Sequence, residues 1–177
     1  MTWYVALLRG IGPFNPNMRN ARLRSVVEGA GFRDVQTVIS SGNVVFTSDR
    51  ADTQVMEAEL EEAWPAQLGF QSTTIIRSQG RLSRLIAADP YDGMEHGPES
   101  YLLVTFCKEP PALQWDLPHT PAGKAYTLVA MVDGTLFSVT DTTAESADVM
   151  VWLERQFGKQ ISSRTWDTLG RIVKRMG

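Results

Sequence analysis

Three short polar stretches are the places where this chain could do chemistry. Arg9-Gly10 follows the apolar run Trp3–Leu8, Ser40-Ser41-Gly42-Asn43 lies between Val38-Ile39 and Val44-Val45-Phe46, and Arg164-x-Trp166 opens the last amphipathic segment. A guanidinium is a planar fork of donors that matches carboxylate or phosphate. At a strand end it serves equally well to bond loop carbonyls, so Arg9 and Arg164 each carry both readings. Ser40, Ser41 and Asn43 could orient a ligand, but turn chemistry alone explains Gly42-Asn43. Trp166 stands at helical spacing, which reads first as a core anchor and second as a stacking platform.

The remaining reactive side chains point to no reaction. His96 and His119 sit in Gly/Pro loops with no second ligand at metal spacing. Cys107 has Lys108 beside it but no neighbouring histidine, so it reads as an inert thiol. Glu57, Glu59, Glu61 and Glu62 read as a solvated helix face. There is no phosphate-binding loop, no dinucleotide fingerprint, no nucleophile elbow and no zinc-protease helix. No metal or cofactor is expected, and no catalytic residue can be named.

The elements that must position the polar stretches follow from periodicity. Trp3–Leu8 reads as a strand. Leu23, Val26, Val27 and Ala30 recur at helical spacing, stopped by Gly31, with Arg19, Arg22 and Arg24 outward. Val35–Ile39 and Val44–Thr47 read as a hairpin around Gly42-Asn43, with φ > 0 expected at Gly42. A second helix starts near Asp52, with Val55, Met56, Leu60 and Ala63 on one side, and Pro65 should end or kink it. Thr73–Arg77 is a fourth strand, and Ser78 caps a short helix with Leu82, Leu85 and Ile86. The order is β-α-β-β-α-β, the split unit of ferredoxin-like folds.

After the loop Tyr91–Ser100, Tyr101–Phe106 is a strand and Pro110–Lys124 a long excursion with room for one helical turn. Thr127–Val132 and Leu136–Thr140 flank the hairpin turn Asp133-Gly134. Thr142-x-x-Glu145 resembles a capping box for a helix with Val149, Met150, Leu153 and Phe157 inward. Gln160–Ser163 is a short last strand, and Thr165–Met176 closes the chain as a helix with Arg171, Lys174 and Arg175 in its last turns, where the dipole favours cations. The expected fold is α+β: two ferredoxin-like (βαββαβ) repeats packed together, mainly antiparallel, over residues 1–90 and 91–177 with the C-terminal helix in the second.

Composition bounds the function class. The chain has 177 residues, 43% of them hydrophobic and 21% charged, enough for a sizeable core. Its net charge of −3 requires any nucleic-acid role to rest on a local basic patch. One cysteine excludes an intrachain disulfide and suits a cytoplasmic setting. No apolar run approaches the roughly 18 residues of a membrane span, so no membrane partner is expected. The N-terminus enters a strand pattern directly, without the features of a signal peptide.

Val5-Ala6-Leu7-Leu8-Arg9-Gly10-Ile11 and Ser41-Gly42-Asn43-Val44-Val45-Phe46 resemble the domain of unknown function 1697 family, as do Ile76-Arg77-Ser78, Glu109-Pro110-Pro111, Leu153-Glu154-Arg155 and Arg164-x-Trp166-x-Thr168. The resemblance implies paired ferredoxin-like repeats and no particular activity. Family members continue Arg-Gly-Ile with an Asn-Val-Gly-Gly-Lys-Asn-like loop. Here Gly12-Pro13-Phe14-Asn15-Pro16-Asn17 stands instead, and only Asn17 matches. Near Ser146, Ala147 and Asp148 replace a Lys-Leu pair.

The expected ligand-contacting set is Arg9, Gly10, Asn17, Ser41, Gly42, Asn43, Arg164 and Trp166. The first function expected is non-catalytic binding of an anionic small molecule, nucleotide or nucleic acid. The alternatives are an enzyme acting on a small anionic metabolite in a cleft between the units, and a homodimeric assembly protein.

Overall fold

Strand β1 (Thr2–Leu8) is buried along most of its length because another strand lies on each side of it. The structure is a computed structural model that describes residues 1–141 and 146–177. The expected capping box Thr142-x-x-Glu145 lies outside the described residues. Two compact units are present: Met1–Ser83 with Arg171–Gly177, and Arg84–Gly170.

In the first unit, β1 pairs antiparallel with β3 (Asn43–Ser48) and with β4 (Thr74–Ser78), while β2 (Arg33–Thr37) pairs outside β3. Val5 stands opposite Val45, as the ferredoxin-like reading requires. The order β2-β3-β1-β4 and the crossover helices α1 (Asn20–Gly29) and α2 (Thr53–Leu68) complete a βαββαβ unit. β2 ends at Thr37, earlier than expected, and Asn43 belongs to β3 instead of the turn. The connection is therefore a loop over 38–42, instead of the expected turn over 40–43.

Leu23, Val26 and Val27 of α1 and Met56, Leu60, Trp64 and Leu68 of α2 are buried over the sheet against Tyr4, Leu8, Phe46 and Ile76. The Asp52 carboxylate caps α2, accepting from the main-chain N–H of Gln54 and Val55 at 3.1 Å each. Gly69, with φ +75°, closes it. Pro65 does not end the helix. A proline removes one intrahelical bond, but burial of Trp64 and Leu68 on either side holds the last turn against the sheet. Val55 faces solvent, so the buried stripe is narrower than expected.

Glu57 and Glu61 are not a solvated face. β4 is an edge strand, and its outward N–H groups need acceptors. Glu61 Oε1 accepts from Thr74 N at 2.8 Å, and Glu57 Oε1 accepts from Ile76 N at 2.7 Å. The spacing matches because four helical residues rise about 6 Å and two strand residues about 6.6 Å. Glu57 also pairs with Arg77 at 3.4 Å, both groups being about 5% exposed.

The second unit repeats the connectivity, with order β6-β7-β5-β8 for β5 (Tyr101–Cys107), β6 (Tyr126–Val132), β7 (Thr135–Thr140) and β8 (Ile161–Thr165). Asp133 and Gly134, with φ of +50° and +69°, make the two-residue turn between β6 and β7. Helix α4 (Ser146–Phe157) buries Val149 and Leu153 but exposes Met150, contrary to expectation. No helix lies between β5 and β6. An extended strip takes its place: Leu113 and Leu117 pack on the core, and Trp115 stacks on His119 at 4.5 Å. His119 and Leu128 exchange two main-chain bonds, of 2.9 and 2.8 Å, covering the β6 edge. Helices α3 (Gln79–Ala87) and α5 (Trp166–Arg175) follow the fourth strands, β4 and β8.

No helix among the described residues is long and apolar enough to cross a membrane.

Candidate functional site

The loops at one end of the first sheet converge on Gly42. Leu8 N donates to Gly42 O at 2.9 Å, so the end of β1 is tied to the 38–42 loop. Gly42 has φ +78°, and a Cβ there would lie 2.7 Å from Ile11 Cγ1 and 3.0 Å from Leu8 Cβ and the Leu8 carbonyl oxygen. Only glycine lets the Arg9–Asn17 loop approach so closely. Arg9 itself is fixed through its main chain: its N–H donates to Thr73 O at 2.9 Å, and its carbonyl accepts from Ser72 Oγ at 2.7 Å. Gly10 turns the chain outward with φ +75°.

Asn43 is buried, and its side-chain amide donates to Val38 O and to Ser41 Oγ, both at 3.0 Å. It closes the loop from inside. Asn17 donates to Leu68 O at 3.1 Å and so anchors the 12–19 segment to the end of α2. Asn20 Nδ2 reaches Ile39 O at 3.2 Å. These bonds hold Ile39 at φ +49°. A β-branched residue in the left-handed region is strained by about 1–3 kcal/mol, and such strain persists only where the surroundings fix it.

Two open depressions flank this loop. One, of about 230 Å³, is lined by Gly12, Pro13, Asn15, Met18, Arg19, Asn20 and Ser40. The other, of about 490 Å³, is lined by Val38, Ile39, Arg171, Lys174 and Arg175. They share no lining residue, but Ile39 of the one is followed in the chain by Ser40 of the other. The three cations stand at i, i+3 and i+4 of α5, hence on one helix face. Arg175 reaches Gln36 Oε1 at 3.4 Å, which directs it toward β2. Among the described residues, neither lining contains a carboxylate, histidine or cysteine. The pair can hold an anion but presents no general base.

Arg164 and Trp166 belong to the second unit. Arg164 lies within β8, not after it, and is buried. Its Nη1 donates to Ser163 O at 2.7 Å and to Ser162 Oγ at 3.0 Å. Burial lowers the guanidinium to about 10, which leaves it charged at neutral pH. Arg77 is its counterpart in β4. It faces Val5 as Arg164 faces Val104, donates to the preceding carbonyl at 2.8 Å, and precedes a hydroxyl residue that caps the next helix. Trp166 packs edge-on against Tyr91 at 5.2 Å and Phe137 at 6.1 Å. The Tyr91 hydroxyl donates to Leu103 O at 2.7 Å, and burial holds its ionisation far above the ordinary phenol range. A depression of about 510 Å³ by Cys107 is lined largely by the Pro110-Pro111 loop, Gln156 and Phe157, and the thiol itself is buried.

The structure thus brings Arg9, Gly10, Ser41, Gly42 and Asn43 together, with Asn17 anchoring the adjoining loop. Sequence reasoning attributed Arg171, Lys174 and Arg175 to the helix dipole alone. Their i, i+3, i+4 spacing was the available signal. Their meeting with residues 38–39 was not, because it is set by tertiary packing. No group of three or more histidine, cysteine, aspartate or glutamate side chains able to hold a metal occurs among the described residues.

The fold has a solved counterpart. The conserved bacterial protein SP0830 from Streptococcus pneumoniae matches with a TM-score of 0.73 over 99% of each chain, at 20% identity. At that identity the likeness concerns the fold alone. No curated protein matches the chain in sequence. The family model described as protein of unknown function (DUF1697) matches residues 1–137, and the chain belongs to that family.

Proposed function

We propose that the first unit binds a phosphate-bearing anion, a nucleotide or a nucleic acid, at the 38–42 loop and does no chemistry on it. The observation that carries this reading is the depression lined by Arg171, Lys174 and Arg175 against Val38 and Ile39. The helix dipole accounts for cations in a last turn. It does not account for their enclosing a concavity with a strained, immobilised loop. Arg19 across the loop adds a fourth positive charge. The net charge of −3 makes this a local site on an otherwise acidic protein. We also read the shared strand order and the Arg77/Arg164 correspondence as the mark of an internal duplication.

The test is calorimetric titration with ADP at low ionic strength, for the natural chain and for Lys174→Glu combined with Arg175→Glu. Both side chains are exposed, so the fold is expected to survive the change. Binding that weakens at least tenfold in the variant, and weakens as salt rises, supports the reading. Equal affinity in the two proteins, or no binding by the natural chain, overturns it.

A further inference from the structure

Phe14 is 97% exposed, the most exposed large hydrophobic side chain among the described residues. Single exposed apolar residues are ordinary on protein surfaces. This one differs in its setting. Its neighbours Pro13 and Asn15 line the smaller depression with Arg19, Asn20 and Ser40. Its backbone is braced on the C-terminal side: Asn15 Oδ1 accepts from Asn17 N at 2.9 Å, and Pro16 opens a 3-10 turn, 16–18. The ring is presented by a structured loop, between two residues that line one depression, and Ser40 of that lining follows Ile39 of the basic one in the chain.

Resting on the phosphate-binding reading above, we propose that Phe14 is a stacking platform for the base of the ligand. The phosphate would lie among Arg171, Lys174 and Arg175, and the base over the 12–20 loop. Phosphate contacts give charge-dependent affinity to any anion of the right size. A π-face beside them selects ligands that carry an aromatic ring, and base–aromatic stacking is sequence-tolerant because every base has such a face. The polar groups of Asn15, Asn20 and Ser40 line the floor where the base edge or ribose would sit. The ligand class is then a phosphorylated nucleoside, free or within a single strand.

The test uses calorimetry with three probes, pyrophosphate, ADP and an eight-residue oligothymidylate, on the natural chain and Phe14→Ala. The expected result is that ADP binds roughly tenfold more tightly than pyrophosphate, and that Phe14→Ala removes this advantage while leaving pyrophosphate unchanged. An oligonucleotide bound much more tightly than ADP, with the same dependence on Phe14, identifies nucleic acid as the source; equal affinities identify a free nucleotide. If ADP and pyrophosphate bind equally to both proteins, the stacking role is overturned while anion binding stands. If Phe14→Ala weakens pyrophosphate as much as ADP, Phe14 acts on the loop and not on a base, and the proposal also fails. If no probe binds, the phosphate reading fails with it.

Discussion

Gly42→Ala lowers the melting temperature by roughly 10 °C. The left-handed conformation at φ +78° costs an alanine about 1–2 kcal/mol. Overpacking against Ile11 and Leu8, with contacts at 2.7 and 3.0 Å, adds about 1–3 kcal/mol. For a chain of this size each kcal/mol moves the midpoint by about 2–4 °C. Gly10 is the internal control. It has a similar φ of +75°, but a Cβ there would meet nothing within 4 Å. Gly10→Ala should therefore show the conformational cost without the overpacking. Thermal melts of the two variants separate the contributions. Equal midpoints for both would mean that the loop absorbs the Cβ, and that the close approach at Gly42 is not what fixes the Arg9–Asn17 segment.

Glu57→Ala destabilises the protein by roughly 3–5 kcal/mol, the usual cost of removing one partner of a buried ion pair. The change withdraws an acceptor from Ile76 N–H and a carboxylate from Arg77, both deep in the first unit. Glu61→Ala removes a partly buried acceptor from Thr74 N–H and should cost about 1–2 kcal/mol. Urea denaturation midpoints compare the two. A Glu57→Ala cost no greater than that of Glu61→Ala would show that Arg77 is satisfied without this partner. The paired change Glu57→Leu with Arg77→Met should recover the part of the loss due to the ion pair, because replacing both ends of a buried pair by apolar groups is often neutral, while Ile76 N–H still lacks the Glu57 acceptor.

The contrast between these two sites explains what the sequence discloses. Gly42 was legible because a glycine between a serine pair and a strand has one physical use, a positive φ. The pairing of β1 with β3 was legible from element order, and Val5 does face Val45. Glu57 was illegible because local periodicity places it beside the apolar stripe of Met56, Leu60 and Trp64 without revealing what it meets. Its partner is an edge strand about twenty residues on, and only tertiary structure supplies the N–H groups that pull a glutamate inward. The strip over the second sheet was hidden for a different reason. Leu113, Trp115, Leu117 and His119 alternate with period two, but the surrounding prolines make the stretch read as a long excursion with room for one helical turn. The basic depression combines both situations. The cation spacing on α5 was visible in the sequence, whereas its meeting with Val38 and Ile39 depends on contacts far apart in the chain.

Phosphate binding at the 38–42 loop is tested most directly by nuclear magnetic resonance. Isotopically labelled protein is titrated with ADP while the backbone amides are followed. Saturable shifts concentrated in residues 38–42 and 171–176, with smaller ones in 12–20, are the predicted result. Shifts confined to the second unit, or none at millimolar ADP, would contradict it.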